Sequence, residues 1–164
     1  MRIMPVEGDR WRYLPLLLLA DEQLSMIDRY IDRGDMFVLS EDDRVIAECI
    51  VTDEGGGVAE IKNLAVDPVW QNRRYGRALV CFVSDLYRAT HHTLMVSTGD
   101  SPLTVPFYER CGFVKCRVIK DYFVEHYDHP IYEAGRRVTD AVILTKRLTT
   151  GYGEGEEEGL ERCV

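Results

Sequence analysis

A mixed α/β domain is the fold class this sequence predicts, and three observations predict it. Strand-like and helix-like segments interleave along nearly the whole chain, in the order strand, two helices, three strands, helix, strand, helix, two strands. Glycine and proline fall at the junctions, at Gly34, Asp67-Pro68 and Gly112. The length of 164 residues, with 46% hydrophobic and 29% charged positions, suits one domain with a substantial core.

The elements follow in order. Met1 to Met4 reads as a first strand. Trp11 to Ala20 reads as a helix, and Asp21 to Arg33 as a second. In the second, Leu24, Ile27 and Ile31 repeat at helical spacing and Gly34 stands where a C-terminal cap belongs. Met36 to Leu39 and Val45 to Thr52 form a hairpin about the polar turn Glu41 to Arg44. Glu54 to Gly57 is a loop, and Val58 to Val66 is a strand ended by Asp67-Pro68, since proline donates nothing to a ladder. Asn72 to Ala89 is a helix with Leu79, Val80, Phe82, Val83, Leu86 and Tyr87 on one face. Thr93 to Ser97 is a short strand. Thr104 to Cys111 is a short helix, with Thr104 as N-cap, Pro106 in the first turn and Gly112 as its stop. Phe113 to Lys120 and Thr139 to Leu148 are the last strands, joined by a polar loop. The domain therefore spans residues 1–148. Residues 149–164 are rich in glycine and glutamate and read as a disordered acidic tail.

Charge and composition narrow the function classes. The formal net charge of −8 repels a phosphate backbone or an anionic membrane, so nucleic acid and membrane surfaces are not expected partners. A cationic amine is electrostatically compatible. Cys49, Cys81, Cys111, Cys116 and Cys163 form no CxxC pair, and the odd count reads as reduced thiols in a cytoplasmic protein. The apolar run Leu14 to Ala20 is too short to span a bilayer, and MRIMPVEGDR has no signal-peptide core.

One segment has chemistry in it. Gln71-Asn72-Arg73-Arg74-Tyr75-Gly76-Arg77-Ala78 follows a strand and opens a helix. Free amides at a helix start point toward any bound anion, and such a site suits a pyrophosphate. Gly76 permits close backbone approach, and Arg73, Arg74 and Arg77 add positive charge in an acidic chain. The plainer reading is a solvated helix start with surface arginines. Two further segments, Ala59-Glu60-Ile61 and Phe107-Tyr108-Glu109-Arg110-Cys111-Gly112-Phe113, complete a pattern. In order and spacing the three resemble the GNAT superfamily of N-acetyltransferases over residues 1–148, with Gln71 to Gly76 in the place of its Q/R-x-x-G-x-G/A loop. Arg74 stands where that loop has its first glycine.

The resemblance implies the rest of the expectation. The sheet would be mostly antiparallel and twisted, flanked by helices, and splayed beside Val66. Acetyl-CoA would be the co-substrate, with its pantetheine arm along Leu64, Ala65 and Val66 and its pyrophosphate on the loop from Gln71 to Ala78. Ser101 or Asp100 would take the place of an asparagine that contacts pantetheine in relatives. The acetyl group would pass directly to a primary amine of a small molecule or peptide in a ternary complex. Glu60 is the candidate base and Tyr108 the candidate acid for the leaving thiol, a phenol being close to a thiol in pKa. Their plainer readings are a strand-end carboxylate and a buried aromatic. The loop between the last strands would shape the acceptor pocket through Glu125, Tyr127 and Glu133. Glu125-His126-Tyr127-Asp128-His129 has no second cluster to complete a zinc site, so no metal is expected. A homodimer is frequent among such folds. A non-catalytic acyl-CoA sensor is the alternative.

Overall fold

The computed structural model describes residues 1–149. The strands β1 (Arg2–Pro5), β2 (Asp35–Glu41), β3 (Arg44–Asp53), β4 (Val58–Val66), β5 (Thr93–Gly99), β6 (Val114–Ile119) and β9 (Ala141–Arg147) form one seven-stranded sheet, in the order β1-β2-β3-β4-β5-β9-β6. Only β4 and β5 run parallel; every other neighbouring pair is antiparallel. Helices α1 (Leu14–Ala20), α2 (Leu24–Ile27), α3 (Tyr75–Tyr87), α4 (Val105–Arg110) and α5 (Tyr122–His126) accompany it, with a small hairpin of β7 (Ile131–Glu133) and β8 (Arg136–Val138).

The sheet is buried on both faces, and this explains the near-continuous apolar runs in its central strands. On one face Phe37, Leu39, Cys49, Val51, Ala59 and Ile61 pack with Leu79, Val80 and Val83 of α3 and with Val105 and Tyr108 of α4. On the other, Met36, Val38 and Ile50 pack under Leu17 of α1 and the α2 segment with Ile27, Tyr30 and Ile31. Strand alternation delivers this directly in β2, where odd and even positions serve different faces.

Several sequence expectations are corrected here. The second helix, expected over Asp21 to Arg33, is regular only at Leu24–Ile27, and turns carry the chain on to Gly34. Gly34 is not a left-handed cap. A Cβ there would lie 2.0 Å from the Val51 carbonyl oxygen, so the glycine is needed for close passage against β3. The helix expected from Asn72 begins at Tyr75, because Asn72 and Arg74 have φ of 60° and 68°. The polar loop between the last two strands of the sheet contains α5 and the β7–β8 hairpin. Cys49, Cys81 and Cys111 are free, whereas Cys116 on β6 is disulfide-bonded. Residues 150–164, most of the expected acidic tail, lie outside the described residues. Among the described residues no helix is long and apolar enough to cross a membrane.

Candidate active site

The site begins with a break in the sheet. β4 and β5 pair from Val58↔Thr93 to Ile61↔Val96 and then part, although β4 continues to Val66 and β5 to Gly99. β5 stays with β9 through Gly99↔Ala141, so β4 is left with a bare edge from Lys62 to Val66. The parting coincides with a bulge. Ile50 pairs with Asn63 but Val51 pairs with Ile61, which leaves Lys62 as the extra residue. The bulge reverses the phase of the strand. Ala59 and Ile61 face the α3 side before it, and Leu64 and Val66 face that side after it. Strict alternation, which would put Glu60, Lys62 and Leu64 on one face, is therefore broken at Lys62. Just beyond the strand, the Asp67 amide donates to the Ile46 carbonyl on β3 at 2.8 Å. By alternation the amides of Leu64 and Val66 point to the bare edge, as a ligand strand would require.

The bare edge runs into the basic loop. Gln71, Asn72, Arg73, Arg74 and Arg77 are all exposed there. Left-handed Arg74 precedes right-handed Tyr75, a pairing that turns neighbouring amides to one side and forms an anion-binding concavity. Arg73 lies over the Trp70 ring at 5.1 Å, and the Gln71 side-chain amide donates to the Val66 carbonyl at 3.0 Å, tying the loop to β4. Gly76 is buried in the first turn of α3, where an added Cβ would stand 3.2 Å from Phe107 and 3.6 Å from Val66. Its smallness lets α3 close on α4 and on the end of β4. Ala78 follows, partly buried on the α3 core face.

Tyr108 packs edge-on between Phe107 and Phe113, at ring separations of 5.0 and 5.4 Å. Burial pushes its phenol well above the ordinary range, helped by the neighbouring Cys49, Cys111 and Glu48. Tyr108 shares the α3-side core with Cys49, which is opposite Leu64 of the bare edge in the ladder. Ser101 is buried and accepts from the Leu103 amide at 3.1 Å, which leaves its own hydroxyl proton to donate. Thr104 occupies the N-cap position without a capping bond; its hydroxyl donates to Gly99 O at 3.0 Å instead.

The opposite face of β4 carries a polar chain that the sequence did not reveal. The Asn63 side-chain amide donates to Leu17 O at 3.1 Å and to the Tyr30 hydroxyl at 3.0 Å. Tyr30 donates to Asp21 Oδ2 and Tyr127 to Asp21 Oδ1, each at 2.9 Å. Burial raises the Asp21 carboxyl against the lowering effect of those two hydroxyls. Glu60 is also raised by burial, against the Lys62 ammonium 2.8 Å away, which in turn reaches Glu54 at 3.5 Å. Of the three expected acceptor residues, only Tyr127 joins this chain. Glu125 is exposed on α5, and Glu133 lines a separate cavity with Asp100, Ser101, Arg136 and Arg137. Among the described residues there is no cluster that could hold a metal ion.

Comparison with known proteins bears on this arrangement. A family model described as an acetyltransferase (GNAT) domain matches residues 32–115. The chain is 30% identical over 131 residues to the uncharacterized N-acetyltransferase YvbK of Bacillus subtilis, covering 79% of this chain and 84% of that protein. The chain belongs to the GNAT acetyltransferase family. Its fold matches a GNAT family acetyltransferase from Elizabethkingia anophelis crystallised with acetyl-CoA, at a TM-score of 0.85 and 29% identity over 90% of this chain and 97% of that one. It matches a Bacillus subtilis acetyltransferase in complex with CoA at 0.84 and 29% identity, over 90% and 99% of the two chains. The GNAT sheet, mostly antiparallel and splayed, is thus the expected fold. Against that family, Arg74 is informative. Arg74 stands in the left-handed backbone region with φ of 68°, a conformation that strains a residue bearing a side chain.

Proposed function

We propose that this GNAT protein transfers the acetyl group of acetyl-CoA to a primary amine by direct attack in a ternary complex. The observation that supports the reading is the bare β4 edge from Lys62 to Val66, flanked by a basic helix start on one side and buried carboxylates on the other. The pantetheine arm would lie along Leu64, Ala65 and Val66 as an added strand. The pyrophosphate would rest on the amides of Gln71, Asn72, Tyr75 and Gly76, with Arg73, Arg74 and Arg77 supplying charge and Ala78 continuing the helix. Ser101 can donate a hydrogen bond to the arm.

The chain's own groups have complementary tasks. An amine must be neutral to attack a carbonyl, so a carboxylate on the acceptor face takes its proton. Glu60 pairs with Met95 one position before the last β4–β5 pair, and its carboxyl, raised by burial and held by Lys62 at 2.8 Å, adds negative charge to that face. A backbone amide of the bare edge can hold the carbonyl oxygen as it gains charge. Tyr108 keeps its proton at any physiological pH and can give it to the departing sulfur. Tyr127, with Asp21 behind it, lines the acceptor side, and Glu125 and Glu133 draw cations toward it from farther out.

The deciding experiment is thiol release from acetyl-CoA in the presence of a panel of primary amines, with Tyr108→Phe alongside. Release that depends on the amine, with a loss of ~10²-fold or more in Tyr108→Phe at unchanged acetyl-CoA affinity, supports the reading. Acetyl-CoA binding without turnover on any amine favours the sensor alternative.

A further inference from the structure

Glu48 is the one fully buried carboxylate of the sheet, at 0% exposure, and neither of its oxygens has a hydrogen-bond partner among the described residues. A buried orphan of this kind is costly and calls for a reason. It faces the α1–α2 side of β3, directly opposite Ala65 of the bare β4 segment. Asn63, two residues along β4, carries a second buried orphan on the same face, its Oδ1 atom. Two unmatched acceptors thus sit diagonally across a ladder, Asn63 on the strand whose edge is bare and Glu48 one strand in from it. The titratable groups that feel the Glu48 charge are Tyr30 on the α1–α2 side, and Cys49 and Tyr108 on the α3–α4 side of the sheet. The Ala65 backbone amide lowers the carboxyl, an effect that burial outweighs. Burial accordingly holds the carboxyl up at about 8.

Glu60 is differently placed. Its carboxylate is paired with Lys62 at 2.8 Å, and that ammonium belongs to a wider network with Glu54 and Arg33. A paired carboxylate gains least from a proton, whereas an orphan gains most.

We propose that Glu48 is the proton acceptor for the attacking amine, reached through one water that Asn63 Oδ1 holds in place; the inference rests on the acetyltransferase reading above. The balance is simple. The ammonium form of the acceptor gives one proton through the water to ionised Glu48, which later returns it to solvent. The neutral nitrogen then bonds to the acetyl carbon, and the carbon–sulfur bond breaks with its electron pair on sulfur. The second nitrogen proton ends on that sulfur by way of Tyr108. The products are the acetylated amine, the thiol and one released proton.

The experiment compares the pH–rate profile of thiol release, on the best amine of the panel, for the parent and for Glu48→Gln, Glu48→Met and Glu60→Gln. Acetyl-CoA-induced thermal stabilisation of each variant checks that it is folded. The expected result is a 10²- to 10⁴-fold drop in kcat/KM for Glu48→Gln, with the rising limb near pH 8 abolished. Both Glu48 variants should keep the parent's response to acetyl-CoA, and Glu60→Gln should keep the limb. A merely structural Glu48 would leave the limb in place and would let the apolar Glu48→Met work as well as the parent. Either Glu48 variant within threefold of the parent, with the same profile, overturns the inference while the acetyltransferase reading stands. A parent that binds acetyl-CoA and acetylates nothing in the panel overturns both.

Discussion

At the scale of single residues, burial of charge governs what each group can do. Glu48 has a carboxyl raised from 4.5 to about 8 in the folded chain. Between those values the unfolded chain releases this proton and the folded chain keeps it, so folding stability falls as pH rises. The slope is at most ~1.4 kcal/mol per pH unit for one group. Urea melts at pH 5.5, 6.5 and 7.5 should show that decline in the parent and a flatter line in Glu48→Gln. Arg74 poses the opposite problem, a side chain in a backbone shape that disfavours it. Replacing it with glycine removes ~1–2 kcal/mol of left-handed strain but adds backbone entropy to the unfolded chain. The expected net gain is below about 1 kcal/mol. Acetyl-CoA affinity should fall severalfold as a phosphate-facing charge is lost, and thermal melts with and without the ligand separate the two effects. The residue types at these positions were readable in the sequence, and so was the Gln71 to Gly76 loop. That Glu48 lacks a partner was not, because orphan status depends on which side chains surround it and not on its neighbours in the chain.

At the scale of elements, the bulge at Lys62 decides which face each half of β4 serves. The sequence shows β4 as an unbroken run, and strict alternation assigns Glu60 and Leu64 to one side. One inserted residue reverses the assignment, and a period-two pattern cannot register it when both faces are apolar. Strand limits were more legible: β4 lies at Val58–Val66 as read, since turn residues bound it on both sides. α2 was overread because Leu24, Ile27 and Ile31 keep helical spacing through turns that are not helical. α5 and the β7–β8 hairpin were missed because elements of three to five residues carry too little periodicity. Gly76 tests the closure of α3 on α4. Gly76→Ala must push Phe107 aside by a few tenths of an ångström, and the expected cost is ~1–2 kcal/mol in a denaturant melt, with weakened acetyl-CoA response. Gly99→Ala should be worse, because its Cβ would stand 2.7 Å from Val138 and would lift the hairpin off β5.

At the scale of the whole molecule, ligand binding should appear as a gain in global stability. Acetyl-CoA at about 100 times its Kd should add roughly 2.7 kcal/mol, read as a rise in Tm, and the rise should shrink with added salt as the arginine contribution is screened. The two faces of the sheet divide the labour. The family match covers residues 32–115, which include β4, the basic loop, α3 and α4. The opposite wall is assembled from outside that stretch: Asp21 is joined to Tyr127, Gln23 accepts from the Asp128 amide at 2.9 Å, and Glu22 meets His129 at 3.0 Å. Segments separated by about a hundred residues in the chain are thereby sewn into one surface. With the acceptor bound where we propose, transplanting acceptor preference between relatives of this protein would require moving two pieces of chain together, the stretch around Asp21 and the stretch around Tyr127. A chimera carrying only one of them would inherit a torn seam and serve neither parent's substrate.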